Sequence, residues 1–183
     1  MHGREAYDAV RRRVEVGSVH VDVGGSSGYD ALLLAKLTDA PVLTIEASER
    51  VVDELTRNVA ANPGLDVRIL HARVGAATTA DVVSLDELAY GEGFAPGLVK
   101  IDIEGAELDA LRGATRLLRE GRPALVVEVH SPTLEDDCRV FVCESGYPPP
   151  TVVDQRRVLK EERPLAHNRW LIWDAHQPDD DER

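Results

Sequence analysis

Hydrophobic positions along the chain form short apolar runs separated by segments with helical spacing. The runs are rich in β-branched residues and lie between turn-forming residues, a pattern typical of strands. Strands are predicted over residues 19–23, 42–45, 67–70, 98–103, 124–129, 152–153 and 169–173. Helices are predicted over 4–13, 29–37, 106–119, from a Ser48 cap to Asn62 and from a Thr133 cap to Gly146. One or two helical turns are expected over 84–88, and Gly121 is the expected left-handed stop of the helix before it.

The order of these elements predicts the architecture. Strands that alternate with helices form a parallel sheet with right-handed crossovers, so helices are expected on both faces. No helix separates 152–153 from 169–173, which predicts an antiparallel hairpin at one edge of a mostly parallel seven-stranded sheet. Residues 1–177 are expected to form one α/β domain with a helical lead-in over 1–17, followed by a disordered acidic tail over 178–183.

The charge of the 183 residues narrows the range of partners. With 33 acidic and 21 basic residues the formal net charge is −12, a field that repels phosphate backbones and anionic lipid surfaces. We therefore expect neither nucleic acid nor a membrane as a partner. The chain has no apolar run of about 18 residues and no signal-peptide core, so a soluble cytoplasmic protein is expected. Cys138 and Cys143 match no metal or redox spacing.

The first of the central strands ends in a glycine-rich turn that opens a helix. Gly24, Gly25 and Gly28 lack a Cβ atom and allow a ligand to approach the backbone and the helix N-terminus. Glu46 ends the next strand 22 residues after Gly24, near the spacing of about 20 at which a carboxylate accepts ribose hydroxyls. The pattern G-x-G-x-x-G does not fit this turn, and no tyrosine has a lysine four residues on, so an NAD-dependent oxidoreductase is not expected.

Two motifs resemble those of a known enzyme family. The turn DVGGSSG at residues 22–28 resembles the D-x-G-x-x-x-G motif of class I methyltransferases. The segment KIDIEGAE at residues 100–107 resembles the more specific K-x-D-x-E-G-x-E signature of the FkbM family, and the similarity extends over residues 19–130. The resemblance implies a Rossmann-like class I methyltransferase fold. It also implies an S-adenosylmethionine-dependent O-methyltransferase that acts on hydroxyls of sugars, polyketides and related natural products.

The resemblance further implies how S-adenosylmethionine is held, with S-adenosylhomocysteine as the product. The methionine end would lie against Asp22 and the glycine turn, the ribose hydroxyls against Glu46, and adenine between Ala47 and Ala72. The expected cofactor-binding residues are Asp22, Gly24, Gly25, Ser26, Gly28, Glu46, Ala47, Ala72 and Asp102. Residues 71–73 lack the acidic side chain that many methyltransferases direct at the adenine amine. The short N-terminal segment is expected to leave the site open or covered by a partner, and an uncovered site mouth or sheet edge would make a homodimer reasonable.

Polar side chains gather where the fourth and fifth predicted strands end. In a parallel sheet, ligands bind beyond the carboxyl ends of the strands, so the side chains there should converge. The candidate catalytic residues are Asp102, Glu104, Glu128 and His130. His130 is the first choice for a base, because an imidazole ordinarily has a pKa of about 6.5, and Asp102 would orient the cofactor or hydroxyl. Glu128 and His130 could instead bind loops at the rim of the sheet. The four side chains also offer ligands for a divalent cation, but no metal is assigned.

Three functions compete at this point. The first is O-methylation of a sugar or another polyol-like small molecule, which requires in-line alignment and removal of the hydroxyl proton. The second is an S-adenosylmethionine-binding module without catalysis that acts with a partner, against which the intact Asp102, Glu104 and His130 argue. The third is N-methylation. Enzymes of that kind commonly carry an Asn- or Asp-Pro-Pro-aromatic loop after the fourth strand, whereas Ile103 follows Asp102 here.

Overall fold

The structure is a computed structural model that describes residues 18–154 and 167–174. The strands within these ranges are β1 (His20–Val23), β2 (Val42–Glu46), β3 (Val67–His71), β4 (Arg73–Val74), β5 (Val82–Val83), β6 (Leu98–Ile101), β7 (Ala124–Val129), β8 (Thr151–Asp154) and β9 (Arg169–Trp173). The α-helices are α1 (Tyr29–Thr38), α2 (Glu49–Ala60), α3 (Glu107–Arg112) and α4 (Pro132–Glu144). Two short π-helical turns cover Glu87–Gly91 and Leu117–Gly121.

Seven of the strands form one sheet in the order β3-β2-β1-β6-β7-β9-β8, and a separate two-stranded ladder joins β4 to β5. β1 pairs in parallel with β2 and β6, β2 with β3, and β6 with β7. β9 runs antiparallel to both β7 and β8. The strand order reverses between β1 and β6, and such a switch point is where open α/β sheets bind ligands. The predicted mostly parallel sheet with an antiparallel hairpin edge is confirmed.

Apolar side chains cover both faces of the sheet. On one face, Leu34 of α1 belongs to a buried cluster with Val126 of β7. On the other face, Leu111 of α3 and Cys138 of α4 belong to a larger cluster with Val127. Neighbouring residues of one strand thus serve opposite layers, as the alternation of side chains in a strand requires. The predicted helices on both faces of the sheet are therefore present.

The predicted helix over 106–119 is wrong in its continuity. α3 ends at Arg112, and a new helical turn begins a few residues later. The Asp86 carboxylate accepts hydrogen bonds from the amides of Arg116 and Leu117, at 2.9 and 2.8 Å. These amides are satisfied from outside the helix, as at a helix N-terminus, so a separate turn starts there.

Two predicted helix ends also differ from the structure. α4 is capped by Ser131 and not by Thr133, because the Ser131 side chain accepts a hydrogen bond from Leu134 N at 3.2 Å. The left-handed residue after the second π-helical turn is Arg122, with a φ of 46°, and not Gly121. The element types were predicted correctly in both cases, and the boundaries were displaced by one or two residues.

Two predictions lie beyond the described residues. The helical lead-in over 1–17 and the acidic tail over 178–183 fall outside 18–154 and 167–174. The single domain over 1–177 extends beyond these ranges and stays a prediction. The homodimer involves a second copy of the chain and stays a prediction as well. Within the described part of the chain, no helix is both long and apolar enough to cross a membrane.

Candidate active site

The glycine turn between β1 and α1 packs tightly against the protein itself. Gly24 and Gly28 have φ values of 91° and 88°, a region that residues with a Cβ atom rarely adopt. A Cβ atom at Gly24 would collide with the backbone carbonyl of Asp102, and one at Gly28 would lie 2.7 Å from a Leu55 methyl carbon. The sequence pattern attributes these glycines to the approach of a ligand. The structure adds a second reason, which is the close contact of β1 with the end of β6 and with α2.

Glu46 ends β2 with its carboxylate held by two backbone amides. Its Oε2 accepts a hydrogen bond from Ser26 N at 2.9 Å, and its Oε1 accepts one from Ser48 N at 2.7 Å. One bond reaches the glycine turn and the other reaches the residue before α2, so the side chain is fixed between them. Each carboxylate oxygen has a further lone pair, which leaves Glu46 able to accept hydrogen bonds from ligand hydroxyls.

A cavity of about 370 Å³ opens at the carboxyl ends of β1, β2 and β6. Its walls contain predicted cofactor-binding residues, namely Gly24, Ser26, Glu46, Ala47, Ala72 and Asp102. Glu104 and five apolar residues complete the walls, the latter being Val23, Ile45, Val51, Val74 and Ile103. Among the described residues, Asp22, Gly25 and Gly28 are predicted to bind the cofactor but do not line this cavity. Asp22 is buried in β1, and Gly25 and Gly28 belong to the turn but face Leu55 of α2.

A buried ion-pair network centred on Lys100 lies behind the turn. The Lys100 Nζ atom is 2.9 Å from Asp30 Oδ2, 3.2 Å from Asp22 Oδ1 and 3.9 Å from Asp102 Oδ2. Asp22 is fully buried and also accepts a hydrogen bond from the Thr44 hydroxyl at 2.9 Å. Burial alone would lower the pKa of Lys100, but the three carboxylates outweigh it and raise that pKa above its ordinary value. Lys100 is therefore charged, and the buried Asp22 carboxylate is paired with it.

Asp102 connects this network to His130. Asp102 Oδ1 lies 3.3 Å from His130 Nε2, on the side away from Lys100. His130 Nε2 is also 4.0 Å from a carboxylate oxygen of Glu104 and 4.0 Å from one of Glu107. The structure thus brings Asp102, Glu104 and His130 together, while their catalytic roles stay predictions.

Glu107 shapes the loop that carries Glu104. β6 ends two residues before its predicted boundary, and the chain then turns. The fully buried Glu107 carboxylate accepts hydrogen bonds from Ile103 N at 3.1 Å and from Gly105 N at 2.9 Å. Glu104, between these two residues, has a φ of 54° and a side chain that is 85% exposed. The Glu107 carboxylate therefore fixes the backbone of this loop, while the Glu104 side chain faces solvent beside the cavity.

Glu128 lies buried near the end of β7, beside Asp102. Burial is the main cause that raises the pKa of its carboxyl to about 7, and the negative charge of Asp102 adds to this effect. A hydrogen bond with Asn168 and the charges of His130 and Lys100 oppose it. Glu128 can therefore hold or release a proton near neutral pH, a property that is common in catalytic sites.

The three converging side chains also have the chemistry of a cation site. One oxygen each of Asp102 and Glu104 and one nitrogen of His130 lie within 4.8 Å of one another. Carboxylate oxygens with one imidazole suit divalent cations such as Mn²⁺ or Mg²⁺. The hydrogen-bonded Asp102–His130 pair accounts for the same geometry, so no metal is assigned.

Lys100 and Asp30 have no role predicted from the sequence. Lys100 shares a strand face with Asp102, and a lysine inside an apolar strand signals a buried charge that needs acidic partners. Asp30 lies in the first turn of α1, 70 residues before Lys100. Nothing in the sequence signals their contact, which arises only when α1 packs over β6.

Comparison with known proteins identifies relatives of the chain. Residues 54–161 match the family described as Methyltransferase FkbM domain. The chain is also 30% identical to Ribosomal RNA small subunit methyltransferase G of Salinispora arenicola (strain CNS-205). That match covers 88% of this chain and 72% of the relative.

Solved structures share the fold. The crystal structure of Methyltransferase FkbM from Methylobacillus flagellatus KT matches with a TM-score of 0.73 at 23% identity, over 88% of this chain and 44% of that one. This chain therefore spans less than half of that relative. The structure of M. capricolum TrmK in complex with the natural cofactor product S-adenosyl-homocysteine matches with a TM-score of 0.62 at 12% identity, over 94% of this chain and 68% of that one. These likenesses confirm the predicted Rossmann-like methyltransferase fold.

Proposed function

The chain belongs to the FkbM family of methyltransferases, as its two motifs predict, and we propose that it methylates a hydroxyl of a sugar or another small polyol. S-adenosylmethionine is the proposed methyl donor. The observation that carries the proposal is one cavity whose walls run from the end of β2 to the end of β6, on either side of β1. The fixed carboxylate of Glu46 lies at one end, and Asp102, hydrogen-bonded to His130, lies at the other.

The walls of the cavity fit an adenosyl cofactor. Glu46 is held by Ser26 N and Ser48 N in a position where it can accept both ribose hydroxyls. Ala72 N donates a hydrogen bond to Glu46 O at 3.1 Å, which keeps Ala72 close to Ala47. Both small side chains line the cavity, and we place the adenine ring against them. When bound, S-adenosylmethionine supplies an electrophilic methyl group on a sulfonium.

The proposed reaction is an in-line displacement at the other end of the cavity. The hydroxyl oxygen forms a bond to the methyl carbon while the carbon–sulfur bond breaks, and the hydroxyl proton leaves to the Asp102–His130 pair. Asp102 lines the cavity and orients the hydroxyl. His130, 3.3 Å from Asp102, takes up the proton because an imidazole accepts one near neutral pH. Holding both reactants in line contributes more than the base itself.

Calorimetric titration tests the cofactor class before any acceptor is known. The protein is titrated with S-adenosylmethionine, S-adenosylhomocysteine and NAD in separate experiments. Binding of the first two and not of NAD supports the proposal and justifies an acceptor screen. Binding of none, or of NAD alone, overturns it.

The acceptor screen tests the reaction. Neutral sugars and polyols are incubated with methyl-labelled S-adenosylmethionine, and label transfer is measured for the wild type and for His130→Ala. The variant is expected to bind S-adenosylhomocysteine as the wild type does and to lose about 100-fold in turnover, as for a missing general base. Equal loss of binding and turnover would contradict the assignment of His130 as the base.

Methylation of ribosomal RNA is a second candidate, favoured by the name of the Salinispora relative. The formal net charge of −12 opposes it, because binding to a phosphate backbone depends on basic side chains. Small-subunit ribosomal RNA is therefore included in the acceptor screen at low salt. Label in RNA, with none in sugars or polyols, would replace the proposed acceptor.

A further inference from the structure

A second cavity adjoins the first at the position predicted for adenine. It has a volume of about 540 Å³ and shares Ala47 and Ala72 with the first cavity. Beyond these two residues, its walls come from the end of β3, the β4–β5 ladder, the loop between β4 and β5, and Glu92. If the cofactor's adenine ring lies against Ala47 and Ala72 and its ribose lies at Glu46, the edge of the adenine farthest from the ribose enters the second cavity.

We propose that Asp81, in the wall of this second cavity, accepts the hydrogen bond of the adenine amine and selects adenine among the purines. The proposal rests on the proposed function and deepens it. Asp81 is held near the adenine position by the backbone, because its carbonyl accepts a bond from the amide of Arg73 at 3.4 Å, and Arg73 follows Ala72 directly. Asp81 thereby supplies the acidic side chain that residues 71–73 lack.

Thr78, another polar residue of this wall, is already engaged by hydrogen bonds. The Thr78 hydroxyl lies 3.1 Å from both the amide and the hydroxyl of Ser84. Glu92 is a second acid of the wall, but its amide bonds to Glu87 and not to the strand that follows Ala72. Within residues 18–154 and 167–174, no hydrogen bond or ion pair engages the Asp81 carboxylate, which leaves it available for a donor on the ligand.

The chemistry of the purine edge makes the proposal testable. Adenine carries an amine, which donates to a carboxylate, at the position where hypoxanthine carries a carbonyl oxygen. A carboxylate that faces this position binds the first base and repels the second. S-adenosylhomocysteine and S-inosylhomocysteine differ only at this edge, so their relative affinities report on the group that faces it.

The affinities of both compounds are measured by calorimetry for the wild type, Asp81→Asn and Glu92→Gln. Glu92→Gln is the matched control, because it removes the same charge from the same cavity wall. The wild type and Glu92→Gln are expected to prefer S-adenosylhomocysteine by tenfold or more, the effect of one hydrogen bond to a charged group. Asp81→Asn is expected to reduce this preference to about threefold or less, because an amide can donate to the hypoxanthine oxygen.

The possible failures are distinguishable. If the wild type binds S-adenosylhomocysteine without preferring it, or if Asp81→Asn keeps the full preference, the inference about Asp81 is overturned and the proposed function stands. If the wild type binds neither compound, the proposed function fails, and the inference fails with it. Unchanged thermal unfolding of Asp81→Asn, an exposed substitution, is expected and shows that the variant is folded.

Discussion

Replacing Lys100 by methionine removes the cation from the buried network. Fully buried Asp22 then loses the ammonium 3.2 Å away and keeps the Thr44 hydroxyl at 2.9 Å. Removing one partner of a buried ion pair costs about 3–5 kcal/mol, because an uncompensated charge stays in a low-dielectric interior. The remaining Thr44 bond places the expected loss at the lower end, about 3 kcal/mol. For a chain of this length that loss corresponds to a fall in Tm of roughly 6–12 °C.

Thermal unfolding of the wild type, Lys100→Met and Arg112→Met measures the effect. Arg112 lies 2.9 Å from Asp109, but both side chains are more than half exposed, so this pair contributes about 0–1 kcal/mol. A Tm of Lys100→Met no lower than that of Arg112→Met would refute the reasoning. Adding Asp22→Asn to Lys100→Met removes the unpaired charge and is expected to recover part of the loss. No recovery would show that the loss arises from packing around the lysine and not from charge.

Three further predictions concern the turn, the cavity and Glu128. Glu46→Gln is expected to weaken S-adenosylhomocysteine about 10- to 100-fold in calorimetry, because a charged acceptor becomes a neutral one. Gly25→Ala would place a Cβ atom against the Thr44 hydroxyl and is expected to cost about 1–3 kcal/mol in denaturant unfolding, whereas Gly64→Ala, with nothing within 4 Å, should cost less. The pKa of Glu128 rises from 4.5 to about 7 on folding, so the neutral form stabilises the fold at low pH and this contribution is lost as pH rises to 7. Relative to Glu128→Gln, the wild type is therefore expected to lose up to about 3 kcal/mol of unfolding free energy between pH 4.5 and 7.5.

Local patterns predicted most of the elements, because the spacing of apolar residues is a property of neighbouring positions. All six residues of β7 are buried and five of them are apolar, and a nearly continuous apolar run of this kind is typical of a strand covered on both faces. The interruption after Arg112 could not be predicted in this way, since it depends on Asp86, which reaches Arg116 N from 30 residues away. Ser131 and Thr133 have the same capping chemistry, and only the backbone direction shows which of them caps α4.

The motifs located the cavity better than they assigned its side chains. Gly24, Glu46 and Ala47 lie at strand ends, so their positions in the sequence were enough to place them around one cavity. Asp22 shows the limit of this reasoning. A motif marks it as a site residue, but its carboxylate contacts Lys100, 78 residues away, and not the cavity. Alternation along a strand tells which residues share a face, but it does not tell what packs against that face.

The charges at the reaction end favour an uncharged acceptor. Asp102 and Glu104 line the cavity, and Glu128 is buried beside them, whereas the nearby cation of Lys100 is already paired with carboxylates. A phosphate on the acceptor would meet like charge, while the hydroxyl of a neutral sugar can donate to Asp102. We therefore expect kcat/KM for a neutral sugar to exceed that for its phosphate ester, by a ratio that falls as salt is raised. A preference for the phosphate ester at low salt would contradict this account of the site.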